Sequence, residues 1–288
     1  MSIMKQMINI FMSYLSDVKQ ASANTVVSYR RDLLQLSDYL EEQGITKLEK
    51  VTHTTLNSYV LYLEKQGKAT TTISRVLASV KSFFHYAFYE GYIKHDPAEN
   101  LKAPKIEKKT PLVLSQEEVH RLLSQPDGDS PKEIRDKAMM ELLYGTGIRV
   151  SELIALQVQD LNLGVGFITC RDGQKTRVIP FQNALKIYLN RYMDEAREIL
   201  CHGNDQTLLF TNCSGNAMSR QGFWKIIKHY AEASGISAEI TPHTLRHSFA
   251  AHLVGTGVDI HAVQAIMGHS DMSSTQIYNN MLSAAQQH

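Results

Sequence analysis

Residues 96–111 read DPAENLKAPKIEKKTP, three prolines and four lysines in a stretch with little apolar content. Proline fixes its own φ, donates no backbone hydrogen bond and pushes the preceding residue out of the helical region. At this spacing it denies the segment both helix and strand, and an extended linker is expected. The chain must then bury its apolar residues in two bodies. The expected division is 1–95, a linker over 96–111, and 112–288.

The front body is all-helical on its pattern. In TVVSYRRDLLQLSDYLEEQG, Tyr29, Leu33, Leu36 and Leu40 share one face at helical spacing, and Gly44 follows as a stop. TLNSYVLYLEKQG repeats the plan, with Leu56, Val60 and Leu63 before Gly67. TTTISRVLASVKSFFHYAFYEGY is opened by threonines and closed near Gly91; Thr72, Arg75 and Ser79 take its polar face, with Lys81 nearer the apolar side. MINIFMSYL is short and polar residues follow at once, so it reads as an amphipathic helix rather than a signal peptide. No apolar run approaches the length needed to cross a bilayer.

The back body is mixed. LSQEEVHRLL opens it with capping-box spacing between Ser115 and Glu118. PKEIRDKAMMELLYGTG is a helix ending at Gly145 or Gly147, and RVSELIALQVQDL is expected to be another. GFITCRDGQKTRVIPF alternates as two strands of a β-hairpin with Gly173 in the turn. One long helix over ALKIYLNRYMDEAREIL, a short strand at TLLF and four further helices follow, the last begun by Ser273 or Ser274.

Charge is split between the bodies: residues 1–110 hold 15 Lys and Arg against 11 Asp and Glu, whereas residues 111–288 hold 15 against 18. A basic front half fits contact with a polyanion, and solvated helix faces account for it equally well. Cys170, Cys201 and Cys213 are odd in number and lack CxxC spacing, which argues against a disulfide framework or a thiolate metal site and suits a reducing cytosol.

The densest chemistry lies in ITPHTLRHSFAAHL, residues 240–253. Thr241 suits an N-cap and Pro242 the first helical position, which puts His243 and Arg246 on one face of the first turn. A helix N-terminus is already electropositive, so added cationic side chains invite an anion such as phosphate. The same pair also suits a surface arginine and a packed histidine. His243 and His247 have i, i+4 spacing, but the HExxH glutamate is missing and no nearby cysteine or acid completes a zinc set. In GTGIRVSEL, Arg149 follows a glycine turn and Glu152 can pair with it or with another base on that face. Lys175 stands at the hairpin tip, His269 follows a glycine helix stop, and Tyr278 comes nine residues later.

In this order, Arg149, Lys175, HTLRHSFA and GHSDMSSTQIY resemble the tyrosine recombinase (integrase) family, and within it the bacterial XerC/XerD type. SANTVVSYRRDL and DPAENLKAPK are similar to the core-binding module and linker of those proteins, so the resemblance covers most of the chain. It implies a mainly α fold: an N-terminal helical, SAM-like core-binding domain and a mostly helical catalytic domain with a small antiparallel sheet. It also implies site-specific cutting and rejoining of duplex DNA through a covalent 3′-phosphotyrosine, without metal, ATP or other cofactor. Tyr278 would be the nucleophile, Arg149 and Arg246 the phosphate clamp, His243 the proton acceptor and Lys175 the acid for the 5′ oxygen. His269 would hydrogen-bond the phosphate and Glu152 would orient Arg149. Arg75 would contact bases and Lys81 the backbone.

The implied partners are a duplex recombination site, self-association or a second Xer-type recombinase in a tetramer on two sites, and a septal DNA translocase. The implied setting is cytoplasmic resolution of chromosome or plasmid dimers. Integration of a mobile element and type IB topoisomerase-like relaxation use the same chemistry. Two departures stand out: Asp172 replaces a lysine common in the Xer hairpin, and only ten residues follow Tyr278 for packing into a neighbouring protomer.

Overall fold

A computed structural model describes residues 3–105, 111–172, 175–203 and 207–268. The chain forms two compact units, Met1–Lys108 and Lys109–His288.

In the first unit, α1 (Ile3–Ser13) runs on into one π-helical turn (Tyr14–Val18), followed by α2 (Ala23–Glu42), α3 (His53–Lys65) and α4 (Thr70–Tyr89). Ser22 caps α2 by accepting from the Thr25 backbone, and Thr52 and Thr55 form a reciprocal box at the start of α3. The core joins Leu33, Leu36 and Leu40 of α2, Leu56, Tyr59 and Leu63 of α3, and Val76, Val80, Phe83 and Phe84 of α4. Residues 96–105 pack along this unit as well. Ala98 and Leu101 are buried in its core, and the Pro104 carbonyl accepts from Ser74.

Ser79 departs from its expected place on the polar face of α4. It is fully buried, and its hydroxyl donates to the Val76 carbonyl at 2.7 Å. The cause is Asp32 on α2, a buried carboxylate that draws polar partners into the α2–α4 seam, Ser79 Oγ lying 3.5 Å from it.

The second unit opens with α5 (Gln116–Leu123), whose Ser115–Glu118 box forms as the spacing predicts, and α6 (Pro131–Thr146). Helix α6 ends at Gly147, in the left-handed region at φ +59°, where a Cβ would run into the Phe249 ring. The expected helix over RVSELIALQVQDL shrinks to α7 (Val150–Leu153), a 3₁₀ turn and the two-residue β1 (Leu161–Asn162). Tertiary pairing overrides helical propensity here: Val158 donates to the Thr207 carbonyl at 2.9 Å, and Leu209 to Leu156 at 2.8 Å. That pairing also reduces the expected TLLF strand to a single bridge, Gln157 to Leu208.

Strands β2 (Phe167–Asp172) and β3 (Lys175–Pro180) form the expected hairpin, in register Cys170 to Arg177, and β1 extends it to three antiparallel strands. Gly173 lies outside the described residues. The expected long helix over 184–200 is α8 (Asn183–Arg191), a π turn and α9 (Arg197–Cys201). Then come α10 (Arg220–Ala233), α11 (Pro242–Gly255) and α12 (Ile260–Met267). Fully buried Ala138, Met139, Leu142 and Leu143 make α6 the spine of this unit, with Ile168, Ile179 and Leu245 packed in the same core. No helix among the described residues is long and apolar enough to cross a membrane.

Candidate active site

The start of α11 is built as its sequence reads: Thr241 Oγ1 accepts from the Thr244 backbone, and Pro242 occupies the first turn. From that anchored turn Arg246 points inward and is only 5% exposed. Its Nη1 donates to the Gly147 carbonyl and its Nη2 to the Met267 carbonyl at 2.5 Å. One guanidinium therefore ties the C-terminus of α6 to that of α12.

Arg149 stands two residues beyond Gly147, at the N-cap of α7. Its backbone N–H donates to Glu152 Oε2 at 2.8 Å, its Nη1 to Oε1 at 3.0 Å, and its Nη2 to the Gly268 carbonyl. Arg149 and Arg246 thus sit on adjacent carbonyls, 268 and 267. The last carbonyls of a helix have no intrahelical partner and carry the negative end of the macrodipole, so they are natural seats for guanidiniums.

A third arginine completes the cluster. Arg177 on β3 grips Glu152 with both arms, Nη1 to Oε1 at 2.6 Å and Nη2 to Oε2 at 2.8 Å, and its Nε donates to the Ile266 carbonyl at 3.1 Å. Burial alone would raise the Glu152 pKa, but hydrogen bonds from Arg177 and the Arg149 backbone, with the charges of both arginines, hold it below the ordinary carboxylate value. Three guanidiniums against one carboxylate leave a cluster with net positive charge.

Sequence reading missed Arg177. The signal was present: alternation on β3 places it on the face of buried Ile179, where a cation needs a partner.

His243 is exposed on the first turn of α11. Partial desolvation, then the charges of Arg246 and Arg220, hold its pKa below the ordinary histidine value and favour the neutral imidazole. His247 is half-buried and shifted the same way by burial, His243 and Arg246. Among the described residues no group of three or more His, Cys, Asp or Glu side chains could hold a metal ion. The backbone of Lys175 begins β3 opposite Asp172, two residues before Arg177. The Lys175 side chain, His269 and Tyr278 lie outside the described part of the structure, His269 following directly on Gly268.

In the first unit, Arg75 is bound to Asp32 by an ion pair. It lines a surface cavity of about 310 Å³ that also carries Arg31, Gln35, Lys68 and Thr72. Lys81, six residues on along α4, is half-exposed. The expected open polar face at Arg75 is therefore a basic notch with a carboxylate at its base.

Residues 113–284 match the phage integrase family, and residues 8–91 match the phage integrase N-terminal SAM-like domain. The chain is 41% identical over 283 residues to the tyrosine recombinase XerD of Listeria monocytogenes serotype 4b, covering 96% of this chain and 95% of that one. It is 40% identical over 283 residues to the tyrosine recombinase XerC of Roseiflexus sp., covering 96% and 90%. Among solved structures, the XerH site-specific recombinase bound to a palindromic difH substrate, post-cleavage, shares the fold with a TM-score of 0.74 at 21% identity, covering 96% of this chain and 81% of that one. By its two domains and near-full-length likeness, this chain belongs to the phage integrase family and is a site-specific tyrosine recombinase, an enzyme that breaks and rejoins DNA.

Proposed function

We propose that the arginine cluster on the last turn of α12 is the phosphate seat of this recombinase, served by Arg149, Lys175, His243, Arg246, His269 and Tyr278. The observation that carries the reading is the meeting of Arg149 and Arg246 on the neighbouring carbonyls of Gly268 and Met267. The phenol oxygen of Tyr278 attacks the scissile phosphorus, and its proton passes to His243. The bond from phosphorus to the 5′ oxygen breaks, and Lys175 protonates the departing oxygen. A 3′-phosphotyrosine ester and a 5′ hydroxyl result.

Negative charge gathers on the non-bridging oxygens in the transition state, where Arg149, Arg246 and His269 stabilise it. The ester conserves the energy of the broken bond, so attack by the 5′ hydroxyl of another strand reseals the DNA without ATP. In this reading the enzyme works in the cytoplasm as a tetramer on two duplex sites, with itself or a second Xer-type recombinase. It resolves chromosome or plasmid dimers under the control of a septal DNA translocase.

A duplex nicked next to the cleavage point loses the 5′ hydroxyl needed for resealing and so traps the adduct. We expect the trapped protein to carry DNA on the peptide that contains Tyr278. A phosphotyrosine elsewhere, or relaxation of supercoils by the monomer without exchanged products, would overturn the proposal.

Arg75 and Lys81 are proposed to dock α4 against DNA, Arg75 reading a base from its Asp32-braced position. A well-placed bidentate contact is worth about 1–3 kcal/mol of base discrimination. Arg75→Ala should therefore lower the ratio of site to scrambled-DNA binding by roughly 10- to 100-fold. Titrations of both duplexes at one salt concentration measure it, and an unchanged ratio rejects the assignment.

A further inference from the structure

We propose that Arg177 is a positioning residue whose charge neutralises Glu152, so that the positive charge of Arg149 remains available to the scissile phosphate. This rests on the reading of Arg149 as a phosphate clamp.

Glu152 is 8% exposed and engages both arginines through both of its oxygens. Alone with Arg149 it would form a closed neutral pair, and an arriving phosphate would face no net charge there. With Arg177 added, the trio carries one net positive charge, and the matched fork of Arg177 shares the carboxylate with Arg149. The remaining arm of Arg149, Nη2, then turns away from Glu152 to the Gly268 carbonyl, one residue before His269.

The seat of Arg177 is shaped for this residue. A Cβ on Gly268 would come within 2.9 Å of Nη1 and 3.0 Å of Cζ, so a side chain at 268 would displace the guanidinium from this seat. Arg177 also binds three oxygens, two on Glu152 and one on Ile266, in a plane that a lysine ammonium cannot reproduce. It joins strand β3, which begins at Lys175, to the turn of α12 that leads into His269.

Single-turnover cleavage of a nicked suicide duplex tests the proposal, once with a natural scissile phosphate and once with a methylphosphonate, which lacks one non-bridging charge. R177Q should cleave phosphate DNA roughly 100-fold more slowly than wild type, the scale of losing one transition-state donor. On methylphosphonate DNA its deficit should shrink to below about tenfold, because the substrate no longer needs the missing charge. R177K, which keeps charge without the fork, should fall between the two.

Equal deficits on the two substrates, or cleavage by R177Q at the wild-type rate, would overturn the idea. A second pair covers the case in which R177Q does not fold. In E152Q there is no carboxylate to neutralise, so E152Q/R177Q should cleave within about threefold of E152Q, and a large further loss rejects the proposal. Arg149→Ala run alongside separates the two levels. If that protein cleaves phosphate DNA normally, the clamp reading itself fails; if it is slow while the Arg177 variants are not, only the role of Arg177 fails.

Discussion

Tyr278→Phe protein is expected to form no covalent adduct on a nicked suicide duplex and to yield no recombinant product. The substitution removes a single oxygen, the atom proposed to bond to phosphorus, and keeps the rest of the side chain. Loss of an enzyme nucleophile can lower the rate by about 10⁶, which in a single-turnover assay is complete loss. Binding to the DNA site should stay within about twofold, since most of its affinity comes from phosphate contacts spread over the duplex. Gel-shift and adduct assays on the same preparation separate the two quantities. An adduct at wild-type yield would show that the nucleophile is another residue.

Arg246→Ala should be the next most severe change, because it removes a proposed phosphate donor and an architectural tie together. By analogy with other preorganised donors, single-turnover cleavage should fall by about 10²–10³. The protein should also lose stability. The Gly147 and Met267 carbonyls, both bound by this guanidinium, would be left in a largely buried place without their donor. A buried polar group left unpaired costs about 1–3 kcal/mol. Urea unfolding monitored beside the cleavage rate distinguishes the effects, since a loss of folded protein scales the adduct yield and leaves the rate constant of the folded fraction unchanged. A rate within threefold of wild type in folded protein would remove Arg246 from the clamp.

Helix boundaries were legible because their causes are local. Ser115 and Thr241 each cap a helix through a residue three positions on, and Gly147 stops α6 where the chain needs a left-handed φ. The hairpin was legible from its alternation, and Arg149, Glu152, His243 and Arg246 from their places at helix starts. Lys175, His269 and Tyr278 were legible as residue types in order, on a resemblance rather than on geometry.

What stayed hidden depends on partners far along the chain. Helix α7 ends early because residues 156–158 pair with 207–209, and Ser79 is buried because Asp32 lies across the α2–α4 seam. Arg246 reaches a carbonyl 99 positions away, Arg149 one 119 away, and Arg177 a carboxylate 25 away. By itself the sequence determined the fold class and most of the helices, and it marked Arg149 and Arg246 as candidates for phosphate chemistry. Only the tertiary structure decided that those two charges share the end of one helix with a third, an arginine the motifs do not single out. The physical reason is range. Caps, stops and periodicity act over three or four residues, whereas a guanidinium chooses its acceptor from whatever the packed core brings within 3 Å of it.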